Sequence, residues 1–161
     1  MQIKSDKLTL QLVEASDPEL DKLLEGNEDI YNMSEVRLYP PSMPSSMRFR
    51  IENEEELIGE ISLKTIKWYN HKAELSIALK KEFQGKGLAR EALLTLIKFC
   101  FERMNLHRLE AEVIEFNKES INLVENLGFR LEGRLREAKY AKNEYYDVLR
   151  YGLLRHEWAE N

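Results

Sequence analysis

Leu8, Leu10 and Leu12 alternate with Thr9 and Gln11, the two-residue period of a strand with one apolar face. Asp17-Pro18 then has the form of a helix start, with Leu20, Leu23 and Leu24 supplying one apolar stripe. All four prolines lie at or before residue 44, three of them between Tyr39 and Ser46. Proline blocks helix and ladder hydrogen bonds, so that stretch predicts a loop, either a plain connector or one that touches substrate. The run from Glu52 to Glu56 predicts a solvated hairpin turn between strands at about 47–52 and 57–63. Alternation returns from Ala73 to Leu79, with Leu75, Ile77 and Leu79 on one face and Glu74, Ser76 and Ala78 on the other. After Gly87 the period lengthens to that of a helix, through Ala89, Ala92, Leu93, Leu96, Ile97, Cys100, Phe101 and Met104. A strand over Arg108–Ile114 follows, then a short helix over about Lys118–Asn126, with Gly128 where a helix C-terminus favours glycine. Strands over about Arg130–Lys139 and Tyr145–Leu154 close the chain around the turn Lys142-Asn143-Glu144. The order is that of a mixed, α+β-like α/β fold with a mostly antiparallel sheet flanked by helices. No repeat or linker interrupts it, so one domain across residues 1–161 is expected.

Composition changes this picture little. Hydrophobic residues make up 43% and charged residues 33%, the profile of a soluble globular protein. No apolar run approaches the ~20 residues that span a bilayer, and the N-terminus lacks a signal-peptide core. Cys100 is the only cysteine, which excludes an internal disulfide and makes a reducing cytoplasm the expected location. Its place on the apolar side of a helix marks it as buried filler. The net charge of −5 argues against nonspecific nucleic-acid binding and suits a cationic partner such as an amine. His71, His107 and His156 show no metal-ligand spacing, so no metal is expected.

The chemistry concentrates at Gln84-Gly-Lys-Gly-Leu-Ala89, between a strand and a helix. A glycine-punctuated turn that opens a helix presents unpaired N–H groups, backed by the positive end of the helix dipole, and so binds phosphate. Spacing removes two readings. A Walker loop needs G-x-x-x-x-G-K-[ST], whereas Gly85-Lys86-Gly87 is followed by Leu88 and Ala89, with no hydroxyl for a magnesium ion. The dinucleotide fingerprint needs a third glycine where Arg90 stands.

Three segments converge around this turn. Gln84, Gly87 and Ala89 satisfy Q/R-x-x-G-x-G/A directly after a strand. The string Asn117, Ser120, Glu125, Gly128, Phe129 follows, and then Asp147 with Tyr151-Gly-Leu-Leu-Arg-His-Glu-Trp158. Together, over about residues 57–158, they resemble the GNAT superfamily of acetyl-CoA-dependent N-acetyltransferases, in the branch of the RimJ/RimL-type ribosomal-protein enzymes. The resemblance implies the GNAT fold, with a splayed strand pair that holds acetyl-CoA as co-substrate. The coenzyme A pyrophosphate would lie on the amides of Gly85, Lys86, Gly87, Leu88, Ala89 and Arg90, with Gln84 completing the turn. The pantetheine arm would pair with Ile77, Ala78 and Leu79. Asn117 and Ser120 would lie near the pantetheine or the acetyl end, although Asn117 also reads as a helix N-cap.

Acyl transfer to an amine needs a base, and the resemblance makes Glu74 the leading candidate, with Glu60 second. Its alternative is an ion pair with a cation such as Arg108. Many relatives place a tyrosine acid four residues after the Ser120 position, whereas Val124 stands there, which counts against a polyamine-type mechanism. Ser120 is therefore the expected acid. Relatives also carry a carboxylate near the position of Lys139, for which Glu137 is the nearest substitute. Tyr31 and Tyr140 are candidate pocket aromatics, and residues 15–45 are expected to shape the acceptor site. The implied activity is acetyl transfer to a primary amine, first the N-terminal α-amine of a protein or peptide. The rivals are a small amine (polyamine, amino acid or antibiotic) and a noncatalytic acetyl-CoA-binding module. No nucleic acid or membrane partner is expected, and the protein is expected as a monomer or homodimer.

Overall fold

A computed structural model describes residues 2–4, 9–11, 17–18, 42–53 and 56–159. The chain forms two compact units, Met1–Leu38 and Tyr39–Asn161. In the first, strand β1 (Gln2–Lys4) pairs antiparallel with β2 (Thr9–Gln11), a hairpin of which the leucine alternation shows only the second strand. Pro18 is helical, as the Asp17-Pro18 start predicts, while Leu20, Leu23, Leu24 and Tyr31 lie outside the described residues.

The second unit is built on one six-stranded sheet, in the order β3-β4-β5-β6-β8-β7. Its strands are β3 (Met47–Asn53), β4 (Glu56–Lys67), β5 (Lys72–Leu79), β6 (Arg108–Ile114), β7 (Arg130–Ala141) and β8 (Glu144–Leu154). Every pairing is antiparallel except β5 with β6. That pair is parallel because the helix α1 (Leu88–Glu102) crosses between the two strands. A second helix, α2 (Lys118–Asn126), links β6 to β7, and a short α3 (Arg155–Ala159) ends the described chain. The third helix has no counterpart in the sequence reading, and Met104 falls past the end of α1 rather than inside it.

Both longer helices lie on one face of the sheet. Leu93, Leu96, Ile97, Cys100 and Phe101 of α1 and Val124 of α2 join Leu63, Leu75, Leu109, Ala111, Tyr151 and Leu153 in one core. The opposite face is an ion-pair lattice: Lys72 Nζ donates to Glu110 at 2.9 Å, Arg108 pairs with Glu110 and Glu132, and Arg150 with Glu112. Alternation therefore gives β6 a buried row (Leu109, Ala111, Val113) and a charged row (Arg108, Glu110, Glu112). Cys100 is fully buried and its thiol is pushed up to about 12 by that burial, which makes it packing rather than chemistry.

Strand β4 runs on to Lys67, past the predicted end at 63, because a register shift between Leu63 and Ile66 breaks the two-residue period without ending the pairing. Strands β7 and β8 meet through Lys142 and Asn143, both at positive φ (50° and 64°), the geometry of a two-residue hairpin turn. Glu144, read as turn from sequence, is already paired with Ala141. Leu109 is fully buried in β6, two residue pairs before the last pair that joins β5 and β6. Leu109→Ala is expected to cost about 3 kcal/mol and to lower Tm by roughly 6–12 °C. A thermal melt that moves by under about 2 °C would place the core elsewhere.

Candidate active site at a split in the sheet

The pairing of β5 with β6 runs only from Lys72↔Arg108 to Leu75↔Ala111. Beyond it each strand follows its other neighbour: β5 stays on β4 as far as Leu79↔Gly59, and β6 stays on β8 as far as Ile114↔Val148. Residues 76–79 and 112–114 thus border an opening between strands that were paired a few residues earlier. A cavity of about 330 Å³ fills it. From the helix face it is lined by Leu75, Ile77, Ala111, Val113, Leu93 and Val124, and from the charged face by Glu74, Ser76, Glu112, Ile114, Lys64 and Lys139. Residues of both rows line it, at the level of the sheet.

Past Leu79 a 3-10 turn (Lys81–Phe83) leads into the glycine segment. Gln84 Nε2 donates to the Leu79 carbonyl at 3.0 Å and ties the turn back to the end of β5. Gly85 and Gly87 have φ of 71° and 81°, a region that side chains other than glycine's enter at a cost. Gly87 is the N-cap of α1 and offers no side chain to the helix's first amides. The first helical bond runs from Glu91 N to Gly87 O at 3.1 Å. Among the described residues, no acceptor takes the amides of Gly85 through Arg90. Six donors, including Lys86, Leu88 and Ala89, are exposed or half-buried at a helix N-terminus, the arrangement that binds an anion. Lys86 sits with its Nζ 5.4 Å from the Phe83 ring centre.

Glu74 is half-buried on the charged row of β5. Its pKa lies above the usual carboxylate range, first because burial disfavours the charge and then because Glu112 stands across the split; Lys64 and Arg150 pull the other way. The alternative reading of Glu74 as a partner of Arg108 does not hold. Arg108 Nε donates to Glu110 at 2.9 Å and its other nitrogens take Glu132, which leaves Glu74 without an ion pair among the described residues. Glu112, paired with Arg150 at 3.1 Å, is a functional candidate that the sequence reading missed. Its signal was there: Glu110 and Glu112 alternate with Leu109, Ala111 and Val113 on the strand beside Glu74.

Glu60, the second candidate base, is corrected. Arg48 Nε donates to it at 3.1 Å, and that hydrogen bond holds its carboxyl below the usual range, the wrong direction for a base near neutral pH. It lines a separate cavity of about 660 Å³, together with Ala78 and Leu79. Of the three residues expected along the pantetheine arm, all on the β5 edge that β6 leaves unpaired, Ile77 lines the cavity in the split, whereas Ala78 and Leu79 line the other one.

Asn117 and Ser120 both line the split. Asn117 Oδ1 also accepts from Ser120 N at 3.1 Å, so the N-cap and the pocket-lining readings hold together. On the far bank, β7 bulges: residues 136–138 intervene between the pairs Leu135↔Val148 and Lys139↔Tyr146. The bulge is pinned by Asp147, whose carboxylate accepts from Glu137 N at 2.9 Å and from Arg134 at 2.8 Å. It ends on Lys139, which lines the split, whereas Glu137 does not. Tyr140 is 58% exposed and packs against Tyr145, 5.0 Å between ring centres, away from the cavity. Most of residues 15–45 lie outside the described residues. Among the described residues no group of three or more His, Cys, Asp and Glu stands together as metal ligands, and no helix is long and apolar enough to cross a membrane.

Residues 18–149 match the family model of the acetyltransferase (GNAT) domain. A putative ribosomal N-acetyltransferase, YdaF of Bacillus subtilis, is 36% identical over 63% of this chain and 56% of its own length. Spermidine N(1)-acetyltransferase of Escherichia coli is 31% identical over 71% of this chain and 61% of its own length. Among solved structures, mutant forms of the spermidine/spermine N-acetyltransferase SpeG from Vibrio cholerae superpose with a TM-score of 0.70 at 31% identity, covering 73% of this chain and 71% of that one. The chain thus spans a little over half the length of the curated relatives it matches, and relatives of ribosomal and spermidine type match alike. The split sheet, the glycine turn with free amides and the match over residues 18–149 agree: the chain belongs to the GNAT acetyltransferase family.

Proposed function

We propose that this chain transfers an acetyl group from acetyl-CoA to a primary amine, in the first place the α-amine of a protein or peptide. The observation that carries the reading is the split, an opening in the sheet with a raised-pKa carboxylate on β5, the same strand that leads into a turn whose amides have no acceptor among the described residues. The turn Gly85–Arg90 holds the pyrophosphate, and the strand edge at Ile77 guides the arm towards Glu74. The amine nitrogen attacks the thioester carbon; a C–N bond forms, the C–S bond breaks, and the amine's proton passes to Glu74. The thiolate takes the Ser120 hydroxyl proton, which solvent restores as Glu74 gives up its own, so one proton moves in all from amine to thiol. An α-amine with pKa near 8 is neutral in roughly a tenth of molecules at pH 7, while a lysine-type amine near 10.4 is neutral in about one in a few thousand. A single modest base therefore suits the α-amine better. The rival acceptor is a polyamine, favoured by the spermidine enzymes among the relatives and the solved structures.

The test is release of free thiol from acetyl-CoA across a panel of peptide and small-amine acceptors. Ser120→Ala is expected to slow release by about tenfold or more while leaving the affinity for coenzyme A within about twofold of the parent. If acetyl-CoA raises Tm and yet no acceptor releases thiol, the chain is a cofactor-binding module and the catalytic reading is wrong.

A further inference from the structure

Among the described residues, four charged side chains reach the split: Lys64, Glu74, Glu112 and Lys139. Their formal charges cancel, but their availability does not. Glu112 is already taken by Arg150 at 3.1 Å. Burial and the neighbouring Glu112 resist the charge on Glu74, and on the reading above the reaction loads that group with the amine's proton. Lys64 and Lys139 have no carboxylate partner among the described residues. They stand on opposite banks, Lys64 on β4 beside the β5 arm and Lys139 on β7 beyond the β6–β8 arm. The second is held in place by a clamp. Arg134 bridges Asp147 and Glu115 at 2.8 and 2.9 Å, and Asp147 N donates to Glu115 at 2.9 Å, so the bulge that ends on Lys139 is tied on both sides.

We propose that Lys64 and Lys139 form an anionic subsite, and that the acceptor is an amine carrying a carboxylate a few atoms from the reacting nitrogen. This rests on the acetyl-transfer reading and narrows it. Two ammonium groups beside the base, neither in an ion pair among the described residues, disfavour an acceptor with a second positive charge and attract one with a negative charge. They also favour the neutral form of the incoming amine, because a cation nearby lowers an amine's pKa. An attacking nitrogen must be neutral, so the same two lysines serve binding and chemistry. The carboxylate has two possible sources, the α-carboxylate of a free amino acid or an acidic side chain next to a peptide's N-terminus.

Thiol release measured on matched pairs decides between them and tests the subsite. Alanine against alaninamide reads the free amino acid, and an alanyl-aspartyl amide against an alanyl-asparaginyl amide reads the peptide; spermidine is the cationic control. In at least one pair the acid is expected to exceed its amide by about tenfold in kcat/KM, mostly through KM. With Lys64→Glu and Lys139→Glu together, that preference is expected to vanish or invert, and spermidine to gain by about the same factor. The double Lys→Gln variant removes the charges without reversing them and is expected to erase the preference alone. Equal rates for acid and amide in the parent protein overturn the proposal, as does a preference unchanged in both variants. If no acceptor releases thiol, acetyl transfer is the reading that fails. The subsite is then judged by calorimetric binding of the same pairs to the coenzyme A complex, and equal affinities overturn it.

Discussion

Glu74→Gln is expected to lower kcat for thiol release by about 10²-fold or more while coenzyme A binds as before. The glutamine keeps the shape of the side chain and loses the ability to take a proton. The pH profile makes the assignment specific. Burial and Glu112 hold the Glu74 carboxyl above its usual range, so the acidic limb of kcat/KM should rise with pH through a value higher than that of an ordinary carboxylate. In Glu74→Gln that limb should disappear. In Glu112→Gln it should move down, because a like charge across the split has been removed. Stability gives an independent sign. The native chain binds the Glu74 proton more tightly than the unfolded chain does, so folding loses stability as pH rises from the unfolded pKa through the raised native one. Glu74→Gln removes that penalty and is expected to leave Tm at pH 7 equal or slightly higher. An active Glu74→Gln protein with its acidic limb intact would show that another group takes the proton. A strongly destabilised one would show that Glu74 is a structural residue.

The two halves of the site differ in how far the chain announces them. The glycine turn is written locally: positive φ, a strand before it and a helix after it sit within a few residues of sequence, and the structure has each of them. The cap at Asn117 is local in the same way. The split is not local. It exists because β5 and β6 cease to pair after Leu75 and Ala111, and no residue in either strand signals that, since each goes on pairing with its other neighbour. Lys139 illustrates a further limit. Its arrival at the cavity depends on a bulge whose pin, Asp147, lies on the partner strand, and on Glu115, past the end of β6, which Arg134 of β7 bridges to that pin. Alternation cannot count across such a shift, and so the carboxylate sought near position 139 is replaced by a lysine at the cavity with Glu137 outside it. Glu60 and Glu74 show the same thing for charge. Each lies on the charged row of its strand, and what separates them is the neighbour: Arg48 for one, burial and Glu112 for the other.

Replacing Gly85 and Gly87 together by valine is expected to weaken coenzyme A binding by about 10²-fold or more with little change in Tm. A Cβ added at either position would meet no protein atom within 4 Å, so crowding of the Cβ against the fold is not the expected cause of the loss. It comes from φ, at 71° and 81°. Holding a residue with a side chain in that region costs roughly 1–2 kcal/mol, and a β-branched one more. Two outcomes are open to the turn. It can keep its shape and lose stability, or relax to negative φ and turn its amides away. Residues 84–87 are all exposed, so the relaxed turn gives up almost no packing, and relaxation is the cheaper course. A charge-assisted bond from an amide to a phosphate oxygen is worth about 1.5–3 kcal/mol, so losing two of the six donors already accounts for the predicted factor. Calorimetric titration with coenzyme A, read beside a thermal melt, separates the two outcomes. An unchanged affinity with a lowered Tm would mean that the amides stayed in place. An unchanged affinity with an unchanged Tm would mean that the pyrophosphate is held elsewhere.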